Sequence, residues 1–483
     1  DSQVMVFRRL VKDSGIYGGA DFITNVLSFF TFPIIAAALS PKAFGALELI
    51  FTVTALLGMV VNCGLNNAVQ RFYWDKDTTQ EMQPAIVSSG LIAQVGFGII
   101  IIMFGVSAIP FVMPYLQVAE WPLSWLALFA ALLMMSLSQW LQYILDVIRL
   151  HFAPWRFFAL ALISRLLTMA VGLVAVISLN LGVDGLLSAQ TLVLIIVLPL
   201  SIWLIRKDVK LKLIEYSQIK GLVKFGYPFI FVGMAYWLFG SMDRWMLASM
   251  TSVEDVGVYS VAFRFASVVM FLSAAFGQAW SPLAIKIRTD HPENYQLYFG
   301  QALLLLLFAM LTVGGAVALF SGEIIGLIMP EEYHASALPL VILSFSVILQ
   351  STQQITAIGI SLEKKTYLFA RLAWLSAVAN FVANWFLIPI LGVAGAAWAT
   401  LIAYGTLTGS YLYCTQKLHP ITFDRVRLIT LAFLGALVAL CSIMNINLLL
   451  DWKIVSLKLL IAFSCLALGW KLIPLHLFRE IKT

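Results

Sequence analysis

The chain has 483 residues, 61% of them hydrophobic and 11% charged, where an ordinary soluble domain runs near half apolar and about a quarter charged; its mean hydropathy is +0.95. Apolar runs extend from end to end and leave no room for a soluble domain, so the whole chain is expected to be membrane-embedded. A net charge of +6 would suit nucleic acid if the basic residues formed one face or arm, but they sit in short turns, which argues against a nucleic-acid partner.

In chain order, apolar runs of about twenty residues broken by charged or Pro/Gly turns predict helices at 14–39, 43–64, 85–107, 122–146, 157–179 and 184–205. A second set follows at 221–247, 255–282, 297–321, 335–360, 365–389 and 392–415, and a final pair at 425–446 and 452–472. Arg8, Arg9 and Lys12 lead straight into a run too long for a cleavable signal, so the first helix is expected to be retained. Lys and Arg test the count, because they accumulate on the cytoplasmic side. Arg8, Arg9, Lys12, Arg71, Lys76, Arg149, Arg156, the cluster from Arg206 to Lys224, Lys286, Arg288, Lys364, Lys365, Lys417, Arg425, Arg427, Lys471, Arg479 and Lys482 fall on one side. Only Lys42, Arg244 and Lys453 fall on the other. One missed helix would scramble that partition, so about fourteen transmembrane helices with both termini cytoplasmic are expected.

The chain also echoes itself at an offset near 210 residues. Leu181-Gly182-Val183-Asp184-Gly185 matches Leu391-Gly392-Val393-Ala394-Gly395; Ser136, Ser138 and Gln142 match Ser344, Ser346 and Gln350; Gly45 matches Gly257. Six predicted helices separate equivalent positions, so the halves run the same way, as parallel repeats do. The expected fold is all-α and membrane-integral: two pseudo-symmetric six-helix bundles plus two C-terminal helices. The bundles are placed at 1–205 and 221–416, joined by a cytoplasmic linker at 206–220; the extra helices and a cytoplasmic tail occupy 417–483.

Phe225-Gly226-Tyr227-Pro228, Ala235-Tyr236-Trp237, Asp243-Arg244, Gly257-Val258-Tyr259-Ser260-Val261-Ala262 and Gln278-Ala279-Trp280-Ser281-Pro282 resemble the seventh and eighth helices of bacterial polysaccharide flippases. Asn380, Asn384, Ile388-Pro389, Gly392 and Gly395-Ala396-Ala397 resemble that family's eleventh and twelfth helices, and Gly64-Leu65 with Arg71-Phe72 the end of its second. The resemblance is to the Wzx-type branch of the multidrug/oligosaccharidyl-lipid/polysaccharide exporter superfamily. It implies two bundles rocking around a central cavity. It also implies a cargo: an undecaprenyl-diphosphate-linked oligosaccharide, moved from the cytoplasmic to the periplasmic leaflet of the bacterial inner membrane for O-antigen, capsule or exopolysaccharide, alongside polysaccharide-assembly proteins. The final helix pair is similar to the two added helices of the related lipid II flippase, which form a groove for the lipid tail.

Independently of family, ionisable groups inside spans are costly and default to functional suspects. Arg165, Arg264 and Arg371 lie about 9 to 13 Å inside helix ends at about 1.5 Å per residue. A guanidinium there suits a diphosphate, which its planar fork binds in pairs; snorkelling or pairing with a carboxylate is the structural alternative. Asp243 and Arg244 end the seventh helix as either gate residues or an interfacial ion pair. Asp21 and Glu48 are acidic groups within spans, candidates for proton or sodium coupling or for structural pairing. Pro33 and Pro228 fall inside the first helix of each half as hinges or passive kinks. Tyr17, Tyr236, Trp237 and Trp385 either stack on sugar rings or face lipid. Lys458 is expected to snorkel to the periplasmic interface.

No metal or cofactor is expected: Cys63, Cys414, Cys441 and Cys465 are single, and His151, His291, His334, His419 and His476 are dispersed without ligand spacing. A membrane glycosyltransferase or polymerase would need catalytic groups on a sizeable external loop, and no such loop exists. A drug or cation antiporter of the same superfamily, which should favour acidic residues in its deep spans, and a lipid II flippase stay open beside the oligosaccharide reading.

Overall fold

The structure, a computed structural model, describes residues 2–151, 153–363, 365 and 367–472, with side chains for all of these except 2–17, 21, 278, 279, 281, 282 and 285. Among the described residues every regular element is a helix, as lipid demands of a single chain whose backbone groups find no water. Two compact units form, Asp1–Trp237 and Leu238–Thr483.

The first unit contains α1 (Ser2–Ala38), α2 (Pro41–Asn62), α3 (Leu65–Tyr73), α4 (Gln83–Val118), α5 (Trp125–Leu150), α6 (Pro154–Leu173), α7 (Gly182–Leu204) and α8 (Tyr216–Gly226). Helix α9 (Pro228–Met250) begins in the first unit and ends in the second. There follow α10 (Val253–Ala266), α11 (Val268–Asp290), α12 (Tyr295–Leu319), α13 (Ser321–Ile328), α14 (Ala337–Ser351), α15 (Gln353–Thr356), α16 (Ile358–Leu362), α17 (Tyr367–Leu391), α18 (Val393–Leu418), α19 (Arg425–Met444) and α20 (Trp452–Leu472).

Among the described residues, twelve helical stretches are long and apolar enough to cross a membrane, and α10–α11, bent by 41° at Ser267, make a thirteenth. The expected fourteenth, α18, has 26 residues but is less apolar, because small and hydroxyl residues line its packed face: Gly395, Ala396, Ala397, Thr400, Thr408 and Thr415 are buried. Small residues let membrane helices approach closely, so this helix gives up oiliness for contact with α17 and α14.

The repeat has structural counterparts. Gly182 and Gly392 both adopt positive φ, 60° and 56°, at the start of α7 and α18, where a side chain would be strained. Ser40 and Ser252 cap α2 and α10 alike, accepting from the backbone N–H three residues on at 3.2 and 3.1 Å.

The span read at 221–247 holds as one stretch, Tyr216–Met250, with an elbow at Tyr227. Helix α8 packs on α3 and α4, and Pro228 opens α9 at its first position rather than lying inside a helix, where its missing N–H leaves nothing unpaired. A matching break follows α2, with Cys63 and Gly64 at φ 47° and 65°. The two breaks cross: a Cβ on Gly64 would collide with the Gly226 carbonyl, and one on Gly226 with that of Cys63.

Candidate functional site

In the second unit a carboxylate is buried among neutral donors. Asp243, 3% exposed, sits near the end of α9. The Tyr259 hydroxyl from α10 donates to its Oδ2 at 2.7 Å, and Asn384 Nδ2 from α17 donates to Oδ1 at 2.6 Å. The Thr400 hydroxyl from α18 lies 2.7 Å from Oδ2, 3.0 Å from the Ala396 carbonyl and 2.8 Å from Tyr259 Oη. One turn before Asn384, Asn380 Oδ1 accepts from Asn384 Nδ2 at 3.0 Å, while Asn384 Oδ1 is buried with no hydrogen-bond partner. Thr400 has one proton for two acceptors, and within the cluster Asn384 Oδ1 lacks a donor while Asn380 Nδ2 lacks an acceptor. A proton or a hard monovalent cation at Asp243 Oδ2 would relieve the shortage at Thr400.

Arg244, beside it, turns away, as adjacent helical positions must. Its Nε donates to Ser260 Oγ at 3.2 Å and its Nη1 to the Gly240 carbonyl at 3.0 Å, with the rings of Tyr259 and Phe263 at 5.7 and 5.3 Å. Both residues are buried within the second unit.

The three arginines have separate settings. Arg165 is exposed on α6, with Nη2 3.4 Å from Ser28 Oγ of α1. Arg264 is half-buried in the last turn of α10, at the bend into α11. Arg371 is exposed on α17, its guanidinium 5.0 Å over the Tyr367 ring one turn earlier. Glu48 is buried in α2; the side chains of Asp21 and Tyr17 lie outside the described residues. Pro33 lies inside α1. Trp237 donates from Nε1 to the Thr52 carbonyl of α2 at 2.7 Å, which ties it down, whereas Tyr236 and Trp385 are exposed.

A family model described as polysaccharide biosynthesis protein matches residues 10–288, more than half of the chain. The chain belongs to the polysaccharide biosynthesis protein family. Among curated proteins it is similar to the probable low-salt glycan biosynthesis flippase Agl15 of Haloferax volcanii, 22% identical over 263 residues. That match covers 54% of this chain and 55% of that protein, so the chain spans about half the length of the relative. Among solved structures it is similar to the lipid II flippase MurJ in an inward closed conformation, with a TM-score of 0.72, 14% identity, and 97% and 99% of the two chains covered. An inward-facing multidrug transporter of the MATE family follows at a TM-score of 0.61, 16% identity and 87% and 95% coverage, and the Vibrio cholerae MATE transporter VcmN at 0.54. At these identities the likeness is one of fold.

This family member also carries a buried ion pair missed from sequence. Lys458 of α20 does not snorkel: it is fully buried and donates to both carboxylate oxygens of Glu323 in α13 at 2.6 and 2.7 Å. Its helix packs on α12 and α19 inside the second unit, so the nearest partner for the ammonium is a carboxylate and not water. Beside it, α12, α19 and α20 enclose an apolar cavity of about 240 Å³, lined by Phe308, Leu311, Phe320, Leu434, Phe463 and Leu466 among others.

Proposed function

We propose that this multi-span membrane protein flips an undecaprenyl-diphosphate-linked oligosaccharide from the cytoplasmic to the periplasmic leaflet of a bacterial inner membrane by alternating access. Both termini are cytoplasmic in this reading, and the drive is a proton or sodium gradient. Family membership carries the reading, supported by the fold likeness to a lipid II flippase over 97% of the chain and by the glycan-flippase name of the curated relative.

Arg264, Arg165 and Arg371 are assigned to the diphosphate, because the planar fork of a guanidinium matches phosphate oxygens in pairs and keeps its charge. The apolar cavity of α12, α19 and α20 suits a polyprenyl chain, which can pack there by dispersion contacts without leaving an apolar surround. The oxygen-rich centre at Asp243 is assigned to the coupling ion, with Asp21 and Glu48 as further carboxylates for it. Pro33 and Pro228 are assigned as hinges.

Leaflet translocation of lipid-diphosphate oligosaccharides in proteoliposomes tests the proposal, with wild type compared against Arg264→Ala and Arg264→Lys. The expected result is transport by wild type, near loss in Arg264→Ala and partial recovery in Arg264→Lys. Export of an organic cation with no movement of any lipid-linked sugar would replace the flippase reading by the antiporter one.

A further inference from the structure

Helix α5 is among the more enclosed of the long helices in the first unit, and the open side of its second half is polar. Over its last thirteen residues, from Ser138 to Leu150, the exposed positions are Ser138, Gln142 and Arg149, with Gln139 and Asp146 half-buried beside them. Gln142 lies eight residues from the helix end, roughly 12 Å inside the span at about 1.5 Å per residue. Lipid-facing stripes in this protein look different: α4 exposes Ile99, Ile100, Met103 and Phe104, and α7 exposes Leu192, Ile195 and Ile196. A stripe of hydroxyl, amide and carboxylate groups at that depth is expensive against hydrocarbon and faces water or a polar ligand.

The stripe is built into a network. Asn66 Nδ2 of α3 donates to Asp146 Oδ2 at 2.5 Å, Gln142 Nε2 donates to Asp146 Oδ1 at 3.2 Å, and Arg149 Nη1 lies 3.8 Å from the same oxygen. Behind it Gln94 of α4, wholly buried, reaches Asn66 Oδ1 from Nε2 at 3.5 Å, while its own Oε1 has no hydrogen-bond partner. A second observation comes from the repeat. At the offset that pairs Gln142 with Gln350, Asp146 pairs with Gln354; Gln354 is exposed on α15, and Gln350 Oε1 on α14 is buried without a hydrogen-bond partner. The second unit therefore carries amides at the two repeat positions that hold an amide and a carboxylate in the first.

Amides and a carboxylate that accept and donate side by side match vicinal sugar hydroxyls, which do both. One cation beside one carboxylate makes the stripe a poor diphosphate site. We propose that the α5 stripe of Ser138, Gln142 and Asp146 in the first unit is a hydroxyl-binding surface for the glycan part of the cargo. The inference rests on the flippase reading and assigns sugar and diphosphate to different residues.

Gln142→Cys and, as the smaller change, Ser138→Cys are reconstituted, and their labelling by a membrane-impermeant maleimide is measured above the wild-type background. Labelling is followed alone, with polyprenyl diphosphate, and with the polyprenyl-diphosphate glycan fraction extracted from the producing cells. The expected result is labelling of both positions that the glycan fraction slows and polyprenyl diphosphate does not. In parallel, Gln142→Leu should weaken binding of the glycan fraction roughly fivefold and leave polyprenyl diphosphate binding unchanged, the effect of one lost neutral hydrogen bond. No labelling in protein that elutes as a single folded species, equal slowing by both lipids, or slowing by neither overturns the proposal. Wild-type translocation of the glycan fraction is scored separately: if it is absent the flippase reading fails, and if it is present with unprotected cysteines only the stripe fails.

Discussion

Asp243 accepts hydrogen bonds from three different helices, so a change in its charge is felt by α10, α17 and α18 at once. Asp243→Asn keeps the size of the group and removes the charge that a proton or cation would neutralise. In proteoliposomes under imposed proton or sodium gradients, the gradient-driven part of transport should fall about tenfold or more, equivalent to roughly 1.4 kcal/mol, while the protein elutes as wild type. Undiminished gradient dependence would remove the centre from the coupling role. A second residue-scale effect lies in the loops. His151 caps α5 and pairs with Asp208 at 3.1 Å; the hydrogen bond to Asp208 raises its pKa, against burial and the nearby Arg156, which lower it. A raised folded-state pKa means that the pair's stabilisation is complete below the ordinary imidazole value and disappears as pH climbs through the raised one. The thermal midpoint of wild type should therefore exceed that of His151→Gln at about pH 5.5 and converge with it by about pH 8.5. The side chains are 37% and 25% exposed, so salt should shrink the difference. From sequence, Asp243 stood out with Arg244 as a gate or interfacial ion pair at the end of the seventh helix, and Asn380 and Asn384 share a face one turn apart. Tyr259 and Thr400 could not be joined to them, because nothing local says which helices meet.

At the scale of elements, apolar runs of about twenty residues between charged or Pro/Gly turns located the spans, α18 among them. Helix α18 spends its buried face on Gly, Ala and Thr and is the less apolar for it. The elbow of α8 and α9 reads within one run because Leu222, Val223, Phe225 and Tyr227 carry the apolar pattern past the single charge of Lys224 into Pro228-Phe229-Ile230, although a proline disfavours helix in the residue before it. The glycines quoted as a family likeness now have a mechanical reason. Gly64 and Gly226 let two bent backbones touch, with no flexible side chain at the contact to give way. Gly226→Ala should cost about 1–3 kcal/mol, the usual toll of overpacking where nothing can move, seen as a lower melting point in detergent. Gly221→Ala, with open space around its would-be Cβ, is the control on the same helix and should leave the melting point at or slightly above wild type, since alanine favours helix. Equal melting points for the two variants would mean that the elbow tolerates a side chain and that the crossing does not fix it.

For the whole molecule, the repeat was legible because its signals are local: a Gly-Val-x-Gly turn and a cap recur wherever the same corner is built. The docking of the C-terminal pair was not, since it rests on long-range contacts that no periodicity announces. Gly300 meets the Thr422 carbonyl before α19, and Gly322 and Gly326 meet Asn447 and Leu448 after it. Lys458 and Glu323 then close the contact from α20 to α13. A buried ion pair adds little net stability, because desolvation of both charges offsets their attraction, yet losing one partner strands the other. Lys458→Met alone should destabilise by about 3–5 kcal/mol, whereas Lys458→Met with Glu323→Met should recover most of that loss. Thermal unfolding followed by size-exclusion fluorescence separates these outcomes. If the pair does no more than hold the helices together, the double variant should also flip cargo at the wild-type rate. If it sets the register of the cavity wall, in which Phe320 lies 5.9 Å from the Lys458 ammonium, the double variant should be stable and slow, with an altered preference for polyprenyl chain length. A stable double variant with unchanged rate and chain-length preference would reduce the pair to a fastening.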